Sequence, residues 1–305
     1  MICFIALFVF GVLGIFSATH RKIAFEAFDC VFRKMTLRKC ETGLDTRLKS
    51  DLVGKLLRFS PHAGRFVFKH FQIISWIFTI VMVWSIIATG IGAYNYYMYG
   101  NCNGPQSENF CIFDPTGANS KVSEVQQSCS AGAEVKHNLT VEGVNLALFQ
   151  RYNIGAKNKV VFIGCYSCEY TREAYPNIKK LWDRNDVEFT FAHFPVKSHS
   201  QELGKIGDCV YVINSSKFRE FNDRMFEMNL SQITDTEEIM KIVTDLGFNR
   251  TEMDLCVNSS EIISLSQKQF DEIQKTGIYG TPLVFVNGEP VVGPKPYRVY
   301  SRLLK

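Results

Sequence analysis

The chain has 305 residues and 46% hydrophobic content, enough for one large domain or two small ones with a core. Its net charge of +4 is carried by the N-terminal third, and no basic patch follows, which excludes a nucleic-acid-binding role. The six histidines lack metal-ligand spacing, and no glycine loop of the kind that cradles phosphate is present.

Residues 1–18 are uncharged and mostly apolar, and as a helix at about 1.5 Å per residue they reach across most of a bilayer. A signal peptide carries its positive charge before the apolar run, whereas Arg21 and Lys22 follow it, so a retained transmembrane helix is expected ahead of a cleaved one. A second expected transmembrane helix covers 71–99, where Ile73 to Tyr94 is continuously uncharged and Tyr94, Tyr96, Tyr97 and Tyr99 form an interfacial belt.

Between these spans, Thr19 to Lys69 holds twelve Lys or Arg against five Asp or Glu. That net +7 leaves −3 for residues 100–305, both spans being formally uncharged. The positive-inside rule then places the 19–70 loop in the cytoplasm and everything after the second span outside, in a cell membrane crossed twice. Ala24, Ala27, Phe28, Val31, Phe32 and Met35 share one helical face, and Leu44, Leu48, Leu52 and Leu56 another. These read either as amphipathic helices on the lipid surface or as a small helical hairpin packed on itself. Cys30 and Cys40 are expected to be thiols in this reducing compartment.

Residues 100–143 are rich in Gly, Ser, Asn and Pro and read as a linker or loop-rich collar. Two of Cys102, Cys111 and Cys129 can bridge, the pairing being open. Five Asn-x-Ser/Thr sequons, at Asn138, Asn214, Asn229, Asn249 and Asn258, all fall on the expected outer side.

From Val144 onward the pattern is mixed α/β. Val160 to Gly164 reads as a buried strand, Cys168 to Trp182 as a helix that Pro176 kinks, and Val187 to Phe194 as a second strand. Helical periodicity then occupies about 200–276. Leu283 to Val286, Asn287-Gly288 and Pro290 to Val292 make a β-hairpin, followed by a last helix near Pro296 to Leu304.

Cys165-Tyr166-Ser167-Cys168 sits where the first strand delivers the chain to a helix start. A sulfur at the positive end of a helix dipole is stabilised as thiolate, which turns an ordinary thiol into a nucleophile. Cys165 is expected to be the solvent-facing attacking sulfur and Cys168 its partner. Zinc would need a second close pair of ligands, which Cys102, Cys111, Cys129, Cys209 and Cys256 do not supply; a purely structural disulfide is the other competing reading.

Strand, C-x-x-C at a helix start, strand, helical insert and then Gly280-Thr281-Pro282 ahead of a hairpin and final helix resemble the DsbA-like branch of the thioredoxin superfamily over residues 144–305. The resemblance implies an α/β thioredoxin-like fold with an inserted helical domain, a cis Thr281-Pro282 bond facing the active cysteines, and a structural Cys209–Cys256 disulfide in the insert. It implies a protein-disulfide oxidoreductase without cofactor or metal, with Tyr166 and Ser167 tuning the pair and Thr281 and Pro282 shaping a groove for an extended peptide. Its partners would be exported proteins bearing cysteines, the lipid bilayer, and a recycling membrane enzyme of the DsbB or vitamin K epoxide reductase type. The Tyr-Ser dipeptide lacks the proline and histidine of strongly oxidising members. A reductase or isomerase therefore stays open, as does a redox-inert copper(I)-binding module.

Overall fold

The computed structural model describes residues 17–35, 60–105, 109–124, 138–197 and 199–305, together with 7, 8, 50, 53, 54, 57, 58 and 107. These fall into two units, 1–91 and 92–305.

In the first unit, helix α1 (Ala18–Met35) buries Ala27, Cys30 and Val31 and leaves Phe25, Phe28 and Phe32 exposed. Cys30 is disulfide-bonded, where a thiol was expected. Residues 1–18 lie outside the described residues apart from Leu7, Phe8, Ser17 and Ala18, as does the stripe from Leu44 to Leu56. Helix α2 (Pro61–Tyr99) is continuous and passes from the first unit into the second. Its stretch Gln72–Tyr99 has mean hydropathy 2.0 and is long and apolar enough to cross a membrane, the one such helix among the described residues. Ile73, Trp76, Ile77, Phe78, Ile80 and Trp84 on it are exposed, Trp84 at 72%.

The second unit is built on a five-stranded mixed sheet of β2 (Gln150–Tyr152), β3 (Asn158–Gly164), β4 (Val187–His193), β6 (Leu283–Val286) and β7 (Glu289–Val292), in the order β2-β4-β3-β6-β7. Strands β3 and β4 run parallel because helix α3 (Glu169–Trp182) crosses over between them; the other pairings are antiparallel. A central strand covered on both faces must be apolar throughout, and β3 is buried at every position except Lys159. One face holds Val160 and Phe162 with Phe189, Phe191, Ile178 and Trp182, whose ring stacks on Phe189 at 4.5 Å. The other holds Val161 and Ile163 with Phe194, Leu283, Phe285 and both Cys165 and Cys168.

The insert comprises α4 (Ser200–Glu227), α5 (Thr236–Asp245), α6 (Arg250–Val257) and α7 (Ser260–Gln274). Asn214 leaves helical geometry within α4 and divides it. A disulfide joins Cys209 of α4 to Cys256 of α6 across 47 residues. The hairpin turn has positive φ at Asn287 and Gly288, the pair a two-residue turn demands, and helix α8 (Tyr297–Ser301) ends the fold.

The segment after α2 packs as a collar on this unit. Cys102 bridges Cys111, and the Asp114 carboxylate accepts from the Ala118 and Asn119 amides. Strand β1 (Ser123–Glu124) pairs antiparallel with β5 (Gly280–Thr281) in a second, two-stranded sheet. Cys129 lies outside the described residues.

Candidate active site

Strand β3 ends at Gly164, where a side chain would stand 2.7 Å from Thr171 Cγ2 and 2.8 Å from the Phe162 ring. Only glycine lets the chain turn there so closely over α3. The turn 165–168 closes through the Cys168 amide donating to the Cys165 carbonyl at 3.1 Å, and the Cys165 amide donates to Thr171 Oγ1 at 3.4 Å.

Cys168, rather than Cys165, occupies the N-cap of α3: its sulfur accepts from the Thr171 amide at 3.3 Å. The helix dipole therefore acts first on Cys168. Sγ of Cys168 also lies 3.0 Å from Ser123 Oγ and 3.3 Å from the Thr281 carbonyl oxygen. Both cysteines are thiols and both are buried, Cys165 at 0% exposure, so the sulfur expected to face solvent is enclosed. Burial pushes the Cys165 thiol up, against the pull of hydrogen bonds from the Ser200 side chain and the Val196 and Ser167 backbone.

Tyr166 turns into the core, with its hydroxyl donating to Asn222 Oδ1 at 2.8 Å and its ring stacked on His193 at 5.0 Å. It reaches no groove; it pins the turn to α4. Complete burial raises the Tyr166 phenol well above its ordinary value, so it stays protonated. Ser167 is also buried and pairs with His199 Nε2 at 2.9 Å. Thr281 and Pro282 stand against the pair through a cis peptide bond, with Thr281 fully buried and its hydroxyl unpartnered.

Three contributors escaped the sequence reading. His199, just ahead of α4, brings an imidazole to a dipeptide that has none of its own. Arg172, on the first turn of α3, donates to the carbonyls of Tyr166 (2.7 Å), Met225 (2.8 Å), Phe226 (3.0 Å) and Met228, locking the active turn to the end of α4. Its positive charge acts on both sulfurs. Ser123 arrives from the collar. His199 and Ser123 sit far from the cysteines in sequence; only the Arg172 position, four residues after Cys168 on a helix, carried a usable signal.

The arrangement defines a class first: two thiols between a strand end and a helix N-terminus, opposite a cis-proline loop, are a thioredoxin-like dithiol site. Residues 209–305 match the family model of the DSBA-like thioredoxin domain, a stretch that holds Cys209, Cys256, Thr281 and Pro282. The chain is 30% identical over 146 residues to a probable disulfide bond formation protein D of Bacillus anthracis, covering 43% of this chain and 65% of that one. The corresponding Bacillus cereus protein is 28% identical over the same shares. The chain thus spans just under two thirds of the length of these relatives. Among solved structures, a thioredoxin-like oxidoreductase from Silicibacter pomeroyi covers 51% of this chain and 90% of its own (18% identity, TM-score 0.46). BdbD from Bacillus subtilis, in oxidised form, covers 52% and 91% (19% identity, TM-score 0.45). Residues 209–305 of this chain are thus similar to a DSBA-like thioredoxin domain.

Proposed function

We propose that the protein is a membrane-anchored, extracytoplasmic thiol-disulfide oxidoreductase that oxidises cysteines of exported proteins through Cys165 and Cys168. The observation that carries this is the dithiol pair at the N-terminus of α3, against Thr281-Pro282 and under the charge of Arg172.

With the pair oxidised, a substrate thiolate attacks Sγ of Cys165; the Cys165–Cys168 bond breaks and its electron pair leaves on Cys168. Cys168 is placed as the leaving sulfur: it caps α3, accepts from the Thr171 amide and has the Arg172 guanidinium nearby. A second substrate thiolate attacks the substrate sulfur of the mixed disulfide and releases Cys165. The substrate loses two electrons, and the protein holds them as a dithiol until a membrane partner of the DsbB or vitamin K epoxide reductase type removes them.

Anchoring rests on Gln72–Tyr99 and on the charge asymmetry around it. An oxidising outer compartment is supported by the two disulfides of the second unit, Cys102–Cys111 and Cys209–Cys256. The disulfide-bonded Cys30, on the loop assigned to the cytoplasm, speaks for the reverse orientation. A membrane-impermeant maleimide applied to intact cells decides: labelling of reduced Cys165 before lysis supports the outer placement, and protection until lysis overturns it.

The upward push on the Cys165 thiol favours a second direction of flow, a reductase or isomerase, because a destabilised thiolate makes the dithiol the weaker sink for electrons. The redox direction is tested by equilibrating the full chain in glutathione buffers, alkylating, and weighing the peptide that carries Cys165 and Cys168. A potential near about −120 mV supports the oxidase; one near about −270 mV turns the assignment to a reductase. A copper(I) module that uses the two thiols alone as soft ligands is told apart by stoichiometric metal on the purified protein without exchange activity.

A further inference from the structure

The edge of Gly280–Thr281, which an extended substrate would be expected to pair with, is already taken. Ser123 faces Thr281 and Glu124 faces Gly280 in antiparallel register, so the collar supplies the added strand. The fit is made at the backbone: a side chain on Gly280 would stand 2.8 Å from both the Ser123 carbonyl oxygen and Val122 Cγ2. One on Gly293 would stand 2.9 Å from the Asn119 carbonyl oxygen and 3.1 Å from that of Lys121. Further back the segment is tied by Ser120 Oγ, which accepts from Asn101 Nδ2 at 3.1 Å and from Lys295 Nζ at 3.3 Å. Val122 packs into the cluster that holds Cys165, Cys168, Leu283 and Val292, and Ser123 Oγ rests on Cys168 Sγ.

We propose that residues 119–124 are a resident strap on the peptide-binding edge, an intramolecular occupant that a substrate chain must displace before exchange. The proposal rests on the thiol-exchange reading of Cys165 and Cys168 and adds a control to it. The strap also states what the edge accepts: an extended backbone with a β-branched apolar side chain followed by a small one, as Val122-Ser123 provides. While it is seated, the edge it covers is closed to a pairing strand from another chain.

Two variants of the full chain in lipid nanodiscs test this. Ser123→Pro removes the amide of the pairing residue, and Val122→Asp puts a charge into the apolar cluster. Each is expected to raise the alkylation rate of Cys165 by iodoacetamide about tenfold, equivalent to about 1.4 kcal/mol, and to raise the rate of disulfide exchange with a cysteine-bearing peptide in parallel. A synthetic peptide Asn-Ser-Lys-Val-Ser-Glu, added in excess, is expected to restore slow alkylation to the variants and to leave the parent unchanged. Faster alkylation with no exchange in any form leaves the strap standing and removes the exchange reading. Active exchange with alkylation unchanged in both variants overturns the strap. Amide hydrogen exchange guards against misfolded variants: in Cys168→Ala, protection of residues 119–124 is expected to fall when Cys165 is trapped in a mixed disulfide, and persistence of that protection overturns the proposal.

Discussion

Asp208 offers a sharp test of how the insert is joined to the sheet. It lies on α4, 3% exposed, and its Oδ1 accepts from the side-chain amides of Gln150 on β2 and Gln269 on α7, the latter at 2.9 Å. Burial raises its carboxyl to about 6, the two amide donors opposing the rise. The unfolded value is about 3.9, so the folded chain holds this proton more tightly than the unfolded one. The associated stability is fully present below about pH 4 and is lost as pH rises through 6; two units correspond to about 3 kcal/mol. Asp208→Asn keeps Oδ1 as acceptor for both glutamines and cannot ionise. Urea unfolding read by pulse proteolysis is therefore expected to show the variant more stable than the parent by about 3 kcal/mol at pH 7.5, with the gap closing by pH 4. His193 is lowered to about 3 by burial and works in the opposite sense, favouring the folded state as pH rises from 3 to 6.5; that contribution cancels in the difference between the two proteins. A gap that does not change with pH, or a variant weaker than the parent at pH 7.5, refutes the reasoning.

Arg172→Met leaves four carbonyls without their donor and removes the positive charge near both sulfurs. A loss of about 3 kcal/mol in chemical denaturation is expected, together with a fall in the reduction potential of the pair. Replacing Cys209 and Cys256 together by Ala opens the loop between α4 and α6; the chain-entropy relation gives a loss of about 4 kcal/mol, measured by the same unfolding. Alkylation of reduced Cys165 followed against pH is expected to have its midpoint above the usual thiol value of about 8.5, because the thiol is buried, and a midpoint below 7 contradicts the site described here.

Periodicity located β3, β4, the insert and the hairpin because each obeys a local rule, whereas the two- and three-residue strands β1, β2 and β5 are too short to show one. Val160 to Gly164 is a short apolar run of a strand buried on both faces, and Asn287-Gly288 is a turn with its own backbone requirement. The cysteine pair and Thr281-Pro282 were legible for the same reason, as short motifs in a recognisable order. Burial was not. Nothing in Tyr166-Ser167 says that the tyrosine turns inward to Asn222 or that His199 meets Ser167, since both contacts join residues more than thirty positions apart. The identity of the capping residue also depended on where α3 begins, a matter of one turn, and that moved the dipole from Cys165 to Cys168. The collar was the hardest to read: without periodicity, neither the Cys102–Cys111 pairing nor the seat of Ser123 on Cys168 left a mark in the sequence.

The central claim is that Cys165 exchanges disulfides with other proteins. The direct measurement is to express the full chain with Cys168→Ala, which removes the sulfur that would resolve a mixed disulfide, and to resolve its adducts on non-reducing gels followed by mass spectrometry. The account predicts covalent adducts to exported cysteine-bearing proteins, reversed by dithiothreitol and absent when Cys165 is also replaced by Ala. Adducts that persist without Cys165, or none in either form, would contradict it.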